Sequence, residues 1–554
     1  MLAQYGRASN GQINFDKSKI LDLSGNANTP QWIQDTGFIV HDHTLPINVL
    51  GYDLLRSPEG VSENWTALYD DMQAVANKLC TRSCALQGRA LLVNSMVLSK
   101  LWYKGRLSSP SGALLSSFRT MAWEAVWAGS LALKPSYKVG KRPPRLGGVS
   151  FLDPAVQLPA LQAMWVARFL TARPRPSWYT ALDWVLSAFN GGQSALATYR
   201  SSGTATIPVC WRPYLAAWRT LQPQWSLDTS DWTPQDALCF PVPATTSTRS
   251  PTGLRLVDLV TWDATTSAVS LRSPDDVTDR HFGAPGKVKK ALTALRDGSS
   301  TIPPMVLDLA LSDSSVSLAR SPRHRLHVHI QVAGVMLFSL TTALARRFID
   351  RTKGVNRPLD WRSRGITKLG RPPIDIWQRL HHRARTPRQK ETFYKFLFNA
   401  LALGTRARHF RNATADRAWC HFCPGQVQTQ RHFIWTCPLA QCLWREFRDL
   451  FSLPRAVTLH EAAFSWSTQA QVLGRRYGYR LQAGHAVAVH TLWLVHVRAV
   501  FHDGPASFAA VKALFRSLLR QHLETLRAAA LPERRAQFLV DWSPPLSHSF
   551  TLSL

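Results

Sequence analysis

Trp419-Cys420-His421-Phe422-Cys423, followed by His432 and Cys437, reads as C-x2-C-x8-H-x4-C, three thiols and an imidazole within eighteen positions. Four donors of this softness are what tetrahedral Zn2+ needs. A close Cys pair, then a His/Cys pair after a short loop, is how small structural sites are built. Both halves lie on one polar loop, Gly425 to Arg431 (GQVQTQR), rather than on separate elements. The bland alternative is a scatter of buried cysteines, and Cys442, five residues on, is a spare of that kind. A closed four-ligand site is structural. It says what holds this region together and leaves the protein's purpose open.

Around that loop the chain is strongly basic. Its 554 residues, enough for several domains, carry 66 Lys+Arg against 35 Asp+Glu, a net charge of +31 and a pI near 10.5. Such an excess makes compaction costly through self-repulsion unless counter-charges are present. Nucleic acid is the commonest partner of such a surface, with an anionic membrane surface as the rival. Basic residues recur along the whole chain and neither end shows a lipidation signal, which favours nucleic acid and no membrane. The N-terminal MLAQYGRASNGQINFDKSK lacks an apolar core region, so secretion is not expected. Eight cysteines, half of them crowded around residues 420–442, suit a reducing compartment with one metal site. An intracellular protein of nucleus or cytoplasm is the expectation.

Periodicity predicts a mainly α fold with small β parts. Residues 1–55 hold short alternating segments such as Lys19-Ile20-Leu21-Asp22-Leu23, a small piece of sheet. A helical region of residues 56–222 begins with Trp65, Leu68, Met72, Val75 and Leu79 at helical spacing and continues with Leu91, Leu92, Val97, Leu98 and Leu101. Further helices are expected at Leu114–Trp127 and Ala155–Leu170. Residues 223–330 read as a poorly packed irregular or β connection. One hairpin is predicted from Leu254–Val260 and Ala268–Arg272, and another from Met305–Leu311 and Val316–Arg320. The apolar run Val332 to Ala345, too short to span a membrane, predicts a buried helix. Residues 331–450 are then helical around the zinc loop. In the tail, 451–554, Phe508, Val511, Phe515, Leu518, Leu519 and Leu526 form a buried face, with Lys512, Arg516 and Arg520 as a solvated basic row opposite.

Two blocks resemble a known family. Leu86-Gln87-Gly88-Arg89-Ala90-Leu91-Leu92-Val93-Asn94-Ser95, running on to Lys100-Leu101-Trp102-Tyr103, with Trp127, KRPPR and Leu146-Gly147-Gly148-Val149 after it, resembles the thumb of non-LTR retrotransposon reverse transcriptases. Ser9-Asn10-Gly11-Gln12-Ile13-Asn14 with Lys17-Ser18 is similar to the segment after that family's catalytic aspartates, and Val49-Leu50-Gly51-Tyr52 to its primer-gripping turn. Ile376-Trp377, Phe393-Tyr394-Lys395-Phe396, the four ligands, Cys437-Pro438-Leu439-Ala440 and Trp444 are similar to the zinc-binding domain closing these polymerases. Where the family has Glu before Thr-x-x-His, this chain has Gln428. The resemblance covers roughly residues 1–170 and 370–505. It implies the end of a palm, a thumb, a zinc-binding module and a helical tail.

Two-metal DNA synthesis needs paired carboxylates. In the family these precede the segment that here begins at residue 9, so Mg2+ is expected only with a catalytic part not seen in this sequence. Tyr69-Asp70-Asp71 imitates the signature but sits in a helix, after Lys17, with its Tyr adjacent to the Asp pair. A solvated helix face is the better reading. The pairs His41/His43 and His327/His329 read as surface residues. No catalytic residue is assigned, and the expected function is binding of RNA or an RNA/DNA hybrid. In the thumb the candidates are Arg89, Lys100, Lys104, Arg106, Lys138, Lys141, Arg142 and Arg145. Near the zinc loop they are Arg383, Arg385, Arg388, Lys390, Arg406, Arg408, Arg411 and Trp419, cations interleaved with aromatics as in single-strand binders. Phe422 and Trp435 are expected in the module's small core. Alternative readings are a piece of an active RNA-directed DNA polymerase, a decayed element, or a domesticated zinc-dependent interaction protein.

Overall fold

The computed structural model describes residues 19–20, 39–40, 47–49, 52–54, 58–106, 108–128, 134–171, 211–225, 232–238, 240, 242, 256–263, 265, 268–277, 285–297, 302–312, 330–352, 369–404, 406, 418–466, 475–502, 507–533, 535 and 542. The fold is mainly helical with small sheets. It divides into two compact units, one of Met1–Leu101, Gly112–Asp153 and Arg357–Leu554, the other of Trp102–Ser111 and Pro154–Asn356.

In the first unit, Lys19–Ile20 pairs in parallel with Ile39–Val40, and Ile47–Val49 forms a hairpin with Tyr52–Leu54. Helix Pro58–Cys80 buries Trp65, Leu68, Met72, Ala76 and Leu79, a stripe at steps of three and four that packs on helix Gly112–Val126. Ala76, not the expected Val75, completes the stripe. Asp70 and Asp71 are exposed on this helix, and Lys100 pairs with Asp71.

Helix Leu86–Leu92 passes through a π-helical turn, Val93–Val97, into helix Leu98–Lys104. The extra residue in that turn shifts the buried stripe, so adjacent Val97 and Leu98 are both buried. Leu91, in the helix before it, is 67% exposed. Asn94 braces the turn: its Oδ1 accepts the Leu152 amide at 3.0 Å and its Nδ2 donates to Ser150 O at 3.0 Å. The Gly-Gly turn that follows is sterically dictated. Gly147 has φ +83°, and a Cβ there would lie 2.3 Å from the Trp377 ring, while one on Gly148 would overlap the Arg142 carbonyl.

Helices Ile376–Leu380, Pro387–Leu397, Pro438–Leu450, Leu459–Phe464, Arg475–Phe501 and Phe508–Ala528 complete this unit. Thr386 and Gln389 form a reciprocal capping box at the start of Pro387–Leu397, as Thr458 and Glu461 do for Leu459–Phe464. The last helix buries Val511, Phe515, Leu519, His522 and Leu523, whereas Phe508 is 44% exposed. Its basic row is not simply solvated. Lys512 and Arg516 reach the buried carboxylate of Glu446, at 3.5 and 2.6 Å.

The second unit has a continuous apolar core and is better packed than residues 223–330 suggested. Helix Pro154–Thr171 packs on Arg212–Thr220 and Thr342–Thr352. The core continues through Leu256, Leu259, Val260, Val288, Leu292, Val306 and Ala310. Of the hairpin expected from Leu254–Val260 and Ala268–Arg272, the second strand is present as Ala268–Leu271, but its partner is Val260–Asp263, and Leu256–Asp258 forms a 3-10 turn. Met305–Leu311 is helical instead, within helix Pro304–Leu311, because Pro304 at its first position is preset for a helix and Val306 and Ala310 bury one face. Val316–Arg320 lies outside the described residues, as do His41, His43, His327 and His329.

Val332 to Ala345 likewise departs from the expected helix. Ala333 and Gly334, with φ +51° and +80°, make a two-residue turn between Ile330–Val332 and Val335–Met336 before helix Thr342–Thr352 begins. Consecutive positive φ values are what a tight hairpin demands, and they override the apolar run.

Candidate metal centre

The C-x2-C half lies on a tight turn. Trp419 and Val427 bridge antiparallel strands, the Cys420 amide donates to Gln426 O at 2.8 Å, and the Gln426 amide donates to Cys423 O at 3.1 Å. Gly425, at φ +80°, closes the loop. The H-x4-C half is a single π-helical turn, His432–Thr436, in which the Cys437 amide donates to His432 O at 3.0 Å. A π turn returns to the same side after five residues, and that is why the x4 spacing brings His432 and Cys437 together.

The donor atoms of Cys420, Cys423, His432 and Cys437 all lie within 4.8 Å of one another. Cys437 Sγ is 3.9 Å from Cys420 Sγ and 4.0 Å from Cys423 Sγ. A tetrahedral ion with ~2.3 Å bonds to sulfur sets such edges at about 3.8 Å. His432 Nδ1 sits 3.2 Å from Thr436 Oγ1, while its buried Nε2 has no hydrogen-bond partner among the described residues. With Nδ1–H donating to the threonine, Nε2 is left as a free lone pair, the arrangement by which outer groups orient a ligating histidine.

The electrostatics match. A proton shared from Cys437 holds the Cys420 thiol well below its usual range, helped by the Phe422 and Cys423 amides, and Cys437 is raised in return. Burial, then the neighbouring Cys420 charge, raises Cys423. Cys437 stands at the N-cap of helix Pro438–Leu450, and the nearby Leu439 and Ala440 amides partly offset the rise of its thiol. Three sulfurs this close cannot all ionise without a cation between them. The residues therefore form a site that can hold a metal ion, each in an order and orientation suited to it.

Around the site, Phe433 and Ile434 are the buried core residues, with Trp444 Nε1 donating to Ile434 O at 2.7 Å. This corrects the expectation for Phe422 and Trp435, which are only half-buried; Phe422 packs edge-on against Phe508 at 5.0 Å. Gln428 is buried and is not one of the four convergent residues, and its amide donates to Ala418 O at 3.0 Å. Trp419 is 41% exposed.

The sequence-derived nucleic-acid candidates fall into three groups. Arg89 and Arg385 are built into the interior and are unsuited to a surface role. Arg89 is 8% exposed, donates from Nε to Val126 O at 2.8 Å and pairs with Glu391 at 2.8 Å. Arg385, 3% exposed, donates to Arg379 O at 2.8 Å and Gln482 Oε1 at 3.0 Å and lies over the Phe393 ring. Lys141 is similarly enclosed, 3.8 Å from Asp153.

Lys104, Arg142, Lys390 and Arg406 are half-buried, and Arg406 donates to Asn399 O. Lys100 is half-buried beside Asp71. Arg106, Lys138, Arg145, Arg383 and Arg388 are exposed, Arg383 lying over the Tyr479 ring. Arg408 and Arg411 lie outside the described residues. Glu391 and His490 had no sequence signal of their own, since their partners Arg89 and Thr392 are distant in the chain.

No helix among the described residues is long and apolar enough to cross a membrane. No family model matches the chain. A stretch of 181 residues is 26% identical to the transposon TX1 uncharacterized 149 kDa protein of Xenopus laevis, covering 32% of this chain and 13% of that protein. The chain thus spans only a small part of that relative's length, and the likeness points to an origin in a LINE-type retroelement.

Proposed function

We propose that this chain is the closing part of a non-LTR retroelement reverse transcriptase, a thumb followed by a zinc-binding module, and that it binds RNA or an RNA/DNA hybrid. The convergence of three thiols and the free Nε2 of His432 carries this reading, because it supplies the family's characteristic module at the expected place in the motif order. Zn2+ would be held by Cys420, Cys423, His432 and Cys437 and would act structurally, since all four positions of a tetrahedron are filled by protein. Exposed Arg383, Arg388, Lys138 and Arg145 supply phosphate contacts, and Trp419 a face for an unpaired base.

Primer extension is not expected of this chain alone. Its Tyr69-Asp70-Asp71 run is helical, and Lys100 pairs with Asp71. Fluorescence anisotropy with a labelled single-stranded RNA tests the binding. If about four phosphates are neutralised, log K should fall with log salt at a slope near −3. Affinity indifferent to salt, or none at low salt, would overturn it. A second reading, a zinc-dependent protein-interaction module, draws on the exposed Trp419–Val427 pair and would show instead as a protein partner without RNA affinity.

A further inference from the structure

A cleft of about 240 Å3 opens on the first unit, away from the zinc ligands, between the loop Ser83–Ala85 and helices Pro387–Leu397 and Arg475–Phe501. It is smaller than the pockets that take whole cofactors, which begin at about 300 Å3, and is sized for a fragment such as one nucleotide. Its chemistry is mixed in a particular way. Trp493 offers an aromatic wall, and His490 Nδ1 lies 3.0 Å from Thr392 Oγ1. Burial, then the Arg388 charge, pushes the His490 imidazole down to about 4, so it stands there as a neutral ring.

The single carboxylate of the cleft is already committed. Glu391 Oε1 is 2.8 Å from both Arg89 and Lys395, and Oε2 accepts the Leu86 amide at 3.1 Å. Arg388 is exposed at the mouth and has no ion-pair partner among the described residues. Two cations, Arg388 and Lys395, against one carboxylate leave the lining net positive, with the uncommitted guanidinium exposed to solvent.

Resting on the RNA-binding reading, we infer that this cleft receives one unpaired nucleotide of the bound strand, its base against Trp493 and its phosphate at Arg388. Stacking on an aromatic wall while a guanidinium takes the phosphate is how unpaired strands are held without reading a long sequence. Thr392 and His490 would add hydrogen bonds to the base edge.

The test is photo-crosslinking of the full chain, loaded with zinc, to a single-stranded RNA carrying 4-thiouridine, with the crosslinked peptides mapped by mass spectrometry. Crosslinks are expected within residues 387–397 and 488–497, suppressed by 5′-GMP but not by inorganic phosphate. They should fall at least tenfold in Arg388→Glu and in Trp493→Ala, and persist in Trp493→Phe, which keeps the wall. RNA bound with the expected salt dependence but crosslinked only elsewhere overturns the cleft and leaves the RNA reading standing. So does an Arg388→Glu yield equal to that of the surface control Arg448→Glu. Saturable 5′-GMP binding that Arg388→Glu abolishes, in a chain that binds no RNA, would support the cleft and overturn the RNA reading.

Discussion

Two buried polar clusters in the same unit solve the same problem in opposite ways. Around Arg385 the protein meets part of the guanidinium, while its buried Nη1 has no hydrogen-bond partner among the described residues. The guanidinium donates to Arg379 O and Gln482 Oε1, rests over the Phe393 ring, and meets Nδ1 of His485, whose Nε2–H donates to Ala462 O. At Cys420, Cys423, His432 and Cys437 the four donor atoms face one another, and His432 Nε2 has no hydrogen-bond partner among the described residues. The first cluster is met by neutral acceptors and a π face at all but Nη1. The second has the geometry to take a cation. Burial of polar atoms alone does not mark a metal site; unpartnered lone pairs converging on one point do.

Four perturbations separate these clusters. Cys437→Ser should act most strongly, removing a ligand at the N-cap of helix Pro438–Leu450. Since a structural zinc can contribute about 10 kcal/mol or more of apparent folding free energy, the knuckle should unfold locally. Hydrogen exchange should show lost protection across residues 418–450, with the second unit unaffected.

Arg385→Met leaves His485 Nδ1 buried without its partner and removes the cation–π contact. One orphaned group at ~1–3 kcal/mol plus a desolvated cation–π contact at ~1–2 gives a loss of about 2–5 kcal/mol. Urea unfolding would measure it, and bound metal should stay at wild-type stoichiometry.

Thr436→Val removes the group that orients His432. Its effect should be a roughly tenfold or greater loss of metal affinity, as for other outer partners of ligating histidines, with little change in the metal-saturated fold. Competition with a chromophoric chelator reads this directly.

The fourth perturbation is pH. Burial holds His381, His382 and His490 down to about 4, against an ordinary 6.5, with Lys390, Arg385 and Arg388 respectively adding to the effect. Below about 6.5 the unfolded chain takes up protons that the folded chain refuses. Their contribution is therefore full above that pH and is lost progressively as pH falls towards 4. Thermal melting from pH 7.5 to 4.5 should decline steadily, and a flat profile would refute the burial of these rings.

Much of this was legible in the sequence for a physical reason. Ligand spacing in a metal knuckle is short-range, so C-x2-C and H-x4-C already encode the two turns that bring the donors together. The stripe Trp65, Leu68, Met72, Leu79 was equally readable, because one helix face repeats locally. What was missed is where local and tertiary signals disagree. Helix Leu86–Leu92 buries Leu86, Arg89 and Ala90, and leaves the expected Leu91 exposed. Val332 to Ala345 was apolar enough for a helix, but Ala333 and Gly334 turned it into a hairpin. Arg89 and Arg385 looked like surface cations because composition cannot show that Glu391, 302 residues away, or His485 would enclose them.

The most direct measurement is metal analysis combined with X-ray absorption on the purified chain. One Zn2+ per chain, with three sulfurs near ~2.3 Å and one nitrogen near ~2.0 Å, is the expected result. Less than one metal per chain with the helices intact, or a shell of oxygen donors, would contradict the assignment of Cys420, Cys423, His432 and Cys437 as a closed structural site.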